Sequence, residues 1–248
     1  MRKLYTNVFI LCLLMLQSGC HTDTALTLEI PKETTKVVQY LPKDAAGRNK
    51  NALYLPPREI TEDEFGTEAL HQYIAHMYTV MLDKAGVGIA ANQLGKRLQI
   101  FIIEAKASNP RYKVLGPVQK QVFINPTITK VSTERRNFWH GCLSAHGKPR
   151  GNVATYDWIE YKCKNEKGEL QTGRLTGFAA VIFQHEFRHL LNGTYLDHAT
   201  QLETKAALDK KLDNGTLPFF EITDKKLPLL IEGYQVGETL NEYHKRTK

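Results

Sequence analysis

Apolar residues recur at helical spacing between positions 67 and 84. Successive apolar positions are separated by four, three and four residues, which places them on one face of a helix. These positions are Leu70, Ile74, Met77 and Met81. Thr67 is a suitable N-cap residue and Gly86 a suitable stop. The pattern predicts an amphipathic helix from Thr67 to Lys84.

Later stretches rich in β-branched and aromatic residues favour strands. They are QIFIIEA at 99–105, QVFINPTITKV at 121–131, ATYDWIEYKCK at 154–164 and a return strand at 170–175. A second helix is expected from Phe178 to Leu191, with Asn192-Gly193 as its stop. Strands followed by a late helix predict an α+β fold.

The first twenty residues differ from the rest of the chain. Arg2 and Lys3 precede an apolar run from Val8 to Leu16, and small residues lead to Cys20. The run is shorter than the roughly 20 residues that a membrane-spanning helix needs, so an export signal over residues 1–20 is favoured. The segment resembles a bacterial lipoprotein signal, in which Cys20 becomes lipidated. We therefore expect an exported protein, anchored by lipid to a bacterial cell membrane on the periplasmic or cell-surface side.

Composition and charge narrow the possible classes of protein and of binding partner. With 42% hydrophobic and 24% charged residues, the chain is typical of a globular protein rather than a disordered or fibrous one. The formal net charge of +7 comes from scattered lysines, which favours a solvated surface over a nucleic-acid site. No nucleic-acid partner is expected, and the oligomeric state stays open.

The second predicted helix contains QHEFRHLLNG at 184–193. His185 and His189 lie one turn apart on the same face, so both imidazoles can reach one ion. Glu186 lies about 100° around the helix, beside such an ion. His-Glu-x-x-His is typical of zinc hydrolases, and the alternative is a helix that carries two ordinary histidines.

A catalytic metal site needs a third protein ligand. Downstream, His198 and Glu203 are candidates. Upstream, HGCLSAHG at 140–147 offers Cys142, whose neighbour Gly141 permits close approach of an ion. Cys142 and Cys163 could instead form a single disulfide, and the residues alone leave these alternatives open.

Three segments together resemble the three motifs of peptide deformylases, in order and in approximate spacing. They are GVGIAANQ at 86–93, GCLS at 141–144 and QHEFRHLLNG at 184–193, with FINP between the first two. The resemblance implies a peptide deformylase-like α+β fold, in which antiparallel sheets pack around a central metal-binding helix. It also implies a metal-dependent hydrolase that removes the N-formyl group from N-formylmethionyl peptides. Residues 21–59 would then be a polar tether and lead-in, 60–202 the catalytic domain and 203–248 a C-terminal extension.

The resemblance assigns roles to individual residues. Cys142, His185 and His189 would bind one divalent ion, Fe²⁺ or Zn²⁺. Glu186 would be the general base, and the Gln93 side chain and the Leu143 backbone N–H would stabilise charge on the formyl oxygen. Substrate contacts would fall on Val87, Gly88, Gly141, Val181 and Ile182.

Three positions depart from the family pattern. His140 stands in place of Glu, Arg188 in place of Asp, and Thr155 in place of Arg. The family residues sum to −1 and these three, with neutral His140, sum to +1, so we expect a more positive shell around the ion, with His140 and Arg188 beside its ligands. A catalytically impaired formyl-peptide-binding protein is therefore an alternative, and a zinc endopeptidase is another.

Overall fold

Two antiparallel sheets and four α-helices make up the part of the chain that the computed structural model describes, residues 36–108, 115–216 and 227–248. The strands are β1 (Gly88–Ala90), β2 (Ile100–Ala105), β3 (Val118–Val131), β4 (Arg135–His140), β5 (Arg150–Tyr156), β6 (Trp158–Lys164), β7 (Leu170–Thr176) and β8 (Gln201–Glu203). The helices are α1 (Glu68–Asp83), α2 (Gly177–Leu190), α3 (Lys205–Asp213) and α4 (Leu240–Arg246). The predicted export signal and Cys20 lie outside the described residues.

Helix α1 confirms the periodic pattern. The Thr67 hydroxyl accepts a hydrogen bond from the Leu70 backbone N–H at 3.3 Å, as an N-cap residue does. The four helix-spaced apolar side chains are at most 2% exposed. They pack against Ile89 of β1 and Ile102 of β2, so this helix covers one face of the larger sheet.

The chain passes from one sheet to the other at Asp157, a break that the sequence pattern did not reveal. The larger sheet has the order β1-β2-β3-β6-β7, and the smaller one β4-β5-β8. The predicted single strand at 154–164 is wrong, because its halves are β5 and β6 in different sheets. At the break, the Ser132 hydroxyl accepts hydrogen bonds from the N–H groups of Asp157 (2.8 Å) and Trp158 (3.3 Å). A side chain distant in sequence therefore stabilises the turn.

Helix α2 lies against both sheets. It contacts β1, β2, β3, β6 and β7 of the larger sheet and β5 of the smaller one. The Phe183 ring meets Phe101 and Phe123 edge to face at centroid distances of 5.0 and 4.9 Å. The predicted α+β class is confirmed, with α2 as the central helix. Within the described residues, no helix has both the length and the apolarity to cross a lipid bilayer.

The residues after 227 cover the C-terminal end of α2. His244 of α4 donates through Nε2 to the Leu190 carbonyl at 2.8 Å, satisfying one of the free carbonyls at the helix end. The Tyr234 ring meets Phe187 edge to face, with centroids 4.9 Å apart. This part of the C-terminal extension is therefore packed against the helix that carries the histidine motif.

Candidate active site

Three potential metal ligands converge where α2 faces the link after β4. One ligand atom from each of Cys142, His185 and His189 lies within 4.8 Å of the others. The neighbouring carboxyl group of Glu186 is 3% exposed. Neither His198 nor Glu203 joins a cluster of this kind in the described part of the chain, so geometry selects the upstream cysteine. Cys142 and Cys163 are free thiols, and no disulfide joins them.

The orientation of His189 is fixed by a carbonyl just beyond α2. Its Nδ1 lies 3.0 Å from the Gly193 carbonyl and therefore donates to it. Nε2 is left without a proton, 3.3 Å from the Cys142 sulfur. Asn92 donates to the His189 carbonyl at 2.7 Å and ties this turn to the first motif. This hydrogen-bonding arrangement is typical of histidines that ligate metals.

His185 is oriented by another imidazole. Its Nδ1 lies 3.2 Å from Nδ1 of His140, and the two rings are nearly parallel. Ligation through Nε2 requires neutral His185 to hold its proton on Nδ1, so His140 is the acceptor and carries its own proton on Nε2. His140, which departs from the family pattern, thus contacts the predicted ligand His185 directly.

Burial makes each group in the cluster favour its neutral form. It raises the pKa of the Cys142 thiol to about 12 and raises that of Glu186 well above its usual value. It also lowers the pKa of His185 to about 4. A bound divalent cation favours a thiolate and neutral imidazoles, so it would oppose the effect of burial on Cys142. One soft sulfur and two nitrogens fit a single divalent ion such as Zn²⁺ or Fe²⁺.

Glu186 has an oxygen that the described residues leave unused. Its Oε2 is buried and lacks a hydrogen-bond partner there. Buried carboxyl oxygens are normally satisfied, so this one indicates a polar ligand at the site. Gly88 is required beside it, because an added Cβ would lie 2.3 Å from Glu186 Oε1.

Gln93 directs its amide group into the cluster. Its Oε1 accepts from the Ala90 N–H at 2.8 Å, which fixes the amide orientation. Its Nε2 lies 3.3 Å from the Cys142 sulfur and 3.1 Å from the Ser144 hydroxyl. Leu143 follows the cysteine and begins a short 3₁₀ helix. The predicted pair of donors therefore flanks the predicted ligand Cys142.

The cluster opens into a cavity of about 790 Å³. All five predicted substrate-contact residues line it, namely Val87, Gly88, Gly141, Val181 and Ile182. Sequence reasoning missed Arg150 at the start of β5. A Cβ on Gly141 would lie 1.5 Å from its Nη1, so the guanidinium lies directly against the Gly141 backbone.

The other two departures from the family pattern lie away from the cavity. Arg188 is buried, approaches the backbone of Gly193 and interacts with Tyr243 of α4. Thr155 donates to the Arg136 carbonyl at 3.4 Å, within the β4–β5 pair. Burial alone raises the pKa of Glu186, and Arg188 is not among the groups that shift it. Of the three departures, only His140 touches a metal-ligand candidate.

A segment of the lead-in joins two of the motifs. The N–H groups of Val38 and Tyr40 donate to the carbonyls of Gln93 (2.8 Å) and Ser144 (2.6 Å). Between them, Gln39 donates to the Leu143 carbonyl at 3.2 Å and accepts from the His146 N–H at 3.1 Å. We call residues 38–40 the N-terminal strap. Part of the predicted tether and lead-in therefore borders the site itself.

Comparison with known proteins agrees with this geometry. The family model "Polypeptide deformylase" matches residues 47–205. Peptide deformylase of Leptospira biflexa is 33% identical over 139 residues, covering 56% of this chain and 77% of that protein. Peptide deformylase 2 of a Nostoc species is 38% identical over 128 residues, covering 52% and 70%.

Solved structures show the same relationship. Class I type b peptide deformylase of Acinetobacter baumannii bound to Met-Ala-Ser is 30% identical, with a TM-score of 0.57, and covers 65% of this chain and 98% of that one. A plant peptide deformylase is 26% identical, with a TM-score of 0.55 and coverages of 75% and 89%. The predicted deformylase-like fold is thereby confirmed. This chain belongs to the peptide deformylase family and is a metal-dependent hydrolase of the deformylase type.

Proposed function

We propose that this enzyme removes the N-formyl group from N-formylmethionyl peptides outside the cytoplasm. The observation that carries the proposal is the convergence of Cys142, His185 and His189 beside the unpartnered carboxyl oxygen of Glu186, inside a cavity. The Acinetobacter baumannii relative bound to Met-Ala-Ser supports a peptide in the corresponding cleft. The three ligands would hold one divalent ion.

The residues around the ion would divide the chemistry between them. When bound, the ion lowers the pKa of water and polarises a carbonyl oxygen. Glu186 takes a proton from the attacking water and passes it to the departing amine nitrogen. Gln93 Nε2 and the Leu143 N–H donate to the formyl oxygen as charge develops there. Donors of this kind contribute about 3 to 4 kcal/mol each in comparable hydrolases.

Specificity would come from one small and one apolar subsite. Gly88 lies against Glu186, so there is little space beside this carboxyl group. A formyl carbon, which carries only hydrogen, would fit there, whereas a bulkier acyl group would not. Val87, Val181 and Ile182 line the cavity and would contact a methionine side chain. Both subsites use side chains that are partly or fully buried.

The N-terminal segment bears on both the location of the enzyme and the ion that it would bind. The basic and apolar start of the chain and Cys20 support export and a lipid anchor. Formyl peptides that are already exported would then be the substrates. Zinc suits an oxidising compartment, whereas the family resemblance favours Fe²⁺ in the most active form. Fractionation of cells tests the location, because enzyme found wholly in the cytosol would contradict export.

Formate release from N-formyl-Met-Ala-Ser tests the activity. The full-length chain is purified without oxygen, loaded with Fe²⁺ or Zn²⁺, and compared with Glu186→Gln. We expect release by the unaltered enzyme and a loss of at least about 100-fold in the variant, at equal metal content. Binding without release would favour the impaired formyl-peptide binder suggested by His140. Cleavage of unformylated peptides would favour the endopeptidase, which the use of Cys142 as third ligand disfavours.

A further inference from the structure

The wall of the active-site cavity carries an uneven distribution of charge. Its cationic side chains are Lys84, Lys148, Arg150 and Lys205. Among the described residues that line it, the one acidic side chain is that of Glu186, which is buried. The cations come from the end of α1, the segment before β5, the first residue of β5 and the start of α3. Positive charge therefore borders the cavity on several sides.

These cations differ in how much of their charge is neutralised locally. Lys205 forms an ion pair with Asp209, with its Nζ 2.5 Å from Oδ2. Lys84 and Lys148 are exposed. Among the residues that the structure describes, neither forms an ion pair with a carboxylate. Their charge is available to a ligand, whereas most of the charge of Lys205 is already compensated.

Arg150 brings positive charge deeper into the cavity. Its guanidinium lies against Gly141, next to Cys142. It is also one of the groups that lower the pKa of His185, after burial. A guanidinium presents paired donors that match the two oxygens of a carboxylate. Arg150 therefore supplies a specific contact, and the two lysines supply longer-range attraction.

The charge of a formyl peptide changes during its hydrolysis. An N-formyl peptide with neutral side chains has no ionisable amine, so its free C-terminal carboxylate gives it a net charge of −1. Water cleaves the C–N bond and yields formate, at −1, and a peptide whose new amine is protonated at neutral pH. That peptide is zwitterionic, as an unformylated peptide is from the start. A cationic cavity therefore attracts the substrate more strongly than the peptide product.

We propose that the cavity selects short formyl peptides that carry a carboxylate within about three residues of the formyl group. This inference rests on the proposed function and specifies its substrate class. Arg150 binds the carboxylate, and Lys84 and Lys148 attract it. A cavity of about 790 Å³ suits a ligand of tripeptide size. Released peptide fragments satisfy this requirement, whereas a long chain with a distant C-terminus satisfies it only through an acidic side chain near its start.

Three substrates test the proposal in the metal-loaded, full-length enzyme. They are formyl-Met-Ala-Ser as the free acid, the same peptide as its C-terminal amide, and formyl-Met-Ala-Asp amide. We expect kcat/KM to be about 10-fold higher for the free acid than for its amide at low salt, and to be reduced toward equality in about 0.5 M salt. The aspartyl amide carries its carboxylate on a side chain and not at the C-terminus. It therefore shows whether an acidic side chain can replace the terminal carboxylate.

Charge-removing variants locate the effect. In the double variant Lys84→Gln, Lys148→Gln the preference for the free acid should fall to about threefold or less, and in Arg150→Gln it should be nearly lost. Lys205→Gln is the matched control, because Asp209 already compensates its charge. Equal kcat/KM for acid and amide in the unaltered enzyme would overturn the proposal, as would a preference that survives all of these substitutions.

Binding to Glu186→Gln separates this proposal from the proposed function. That variant should retain the intact formyl peptides, so their dissociation constants can be compared directly. Tighter binding of the free acid without formate release from the unaltered enzyme would retain charge selection and reject hydrolysis. Formate release with equal affinities and equal kcat/KM would retain hydrolysis and reject charge selection.

Discussion

His140 and His185 meet through their Nδ1 atoms at 3.2 Å, so an imidazole stands where the family pattern has a carboxylate. A neutral imidazole is a weaker acceptor than a carboxylate and makes His185 a less electron-rich ligand. With His140 in this place, His185 keeps its orientation but would donate less electron density to a bound ion.

Replacing His140 should weaken retention of the ion. We expect His140→Phe to lower metal affinity by about 10- to 100-fold, because His185 loses the acceptor that orients it. His140→Gln keeps an acceptor and should lose less. Competition with a chelator measures the affinity, and the control is His71→Phe, at a half-exposed histidine on α1. Equal affinities for the unaltered enzyme and His140→Phe would contradict the orienting role.

Gly88→Ala should abolish most activity without removing the ion. Its Cβ would lie 2.3 Å from Glu186 Oε1, so the carboxyl must move. We expect kcat to fall about 100-fold with unchanged metal content. If the effect acts through Glu186, the double variant with Glu186→Gln should be no slower than Glu186→Gln alone. Additive losses would show that Gly88 acts elsewhere.

Gln39→Ala should reduce turnover more than substrate affinity. The Gln39 amide holds the Leu143 carbonyl and the His146 N–H, and so fixes the segment that presents the Leu143 N–H. We expect kcat to fall about 10-fold, of the order of one weakened donor, and KM to change less than about twofold. Gln72→Ala on α1 is the control, since Gln72 bonds only to Glu68 among the described side chains. A pure rise in KM would contradict this positioning role.

Acid should destabilise the fold through His198. Burial lowers its pKa to about 4, with a smaller contribution from Arg188, while Asp197 opposes the shift. Its 3.6 Å contact with Glu232 is therefore not an ion pair at neutral pH. The unfolded chain binds the proton first, so stability is full above about pH 6.5 and is lost as the pH falls to about 4.

Protonation of this histidine should lower the free energy of unfolding by at most about 3 kcal/mol at the acidic end, at about 1.4 kcal/mol per unit of pKa, and by less because solvent screens the partly exposed ring. Urea unfolding of His198→Gln should show a shallower dependence on pH across this window than the unaltered protein. His71→Gln, at a half-exposed histidine on α1, is the control. Parallel curves for His198→Gln and the unaltered protein would show that His198 is not the group responsible.

The sequence predicted the elements whose signals are local. Helix α1 followed from its apolar spacing, and the ligand cluster followed from three short motifs. The break at Asp157 was missed because it depends on the Ser132 hydroxyl, from a distant strand. Arg150 was missed because its place against Gly141 depends on how β4 and β5 pair. Contacts between residues that are distant in sequence produce no local pattern from which they could be predicted.

The N-terminal strap is held mainly by backbone hydrogen bonds, so it depends little on which side chains it carries. Val38 and Tyr40 engage Gln93 and Ser144 through main-chain atoms, and any residue except proline can supply the N–H group. These two hydrogen bonds therefore place no requirement on the side chains at positions 38 and 40 other than the exclusion of proline. The match to the family model begins only at residue 47, after the strap. The strap can therefore keep its place beside Gln93 and Ser144 through its backbone alone, without a particular side chain at positions 38 and 40.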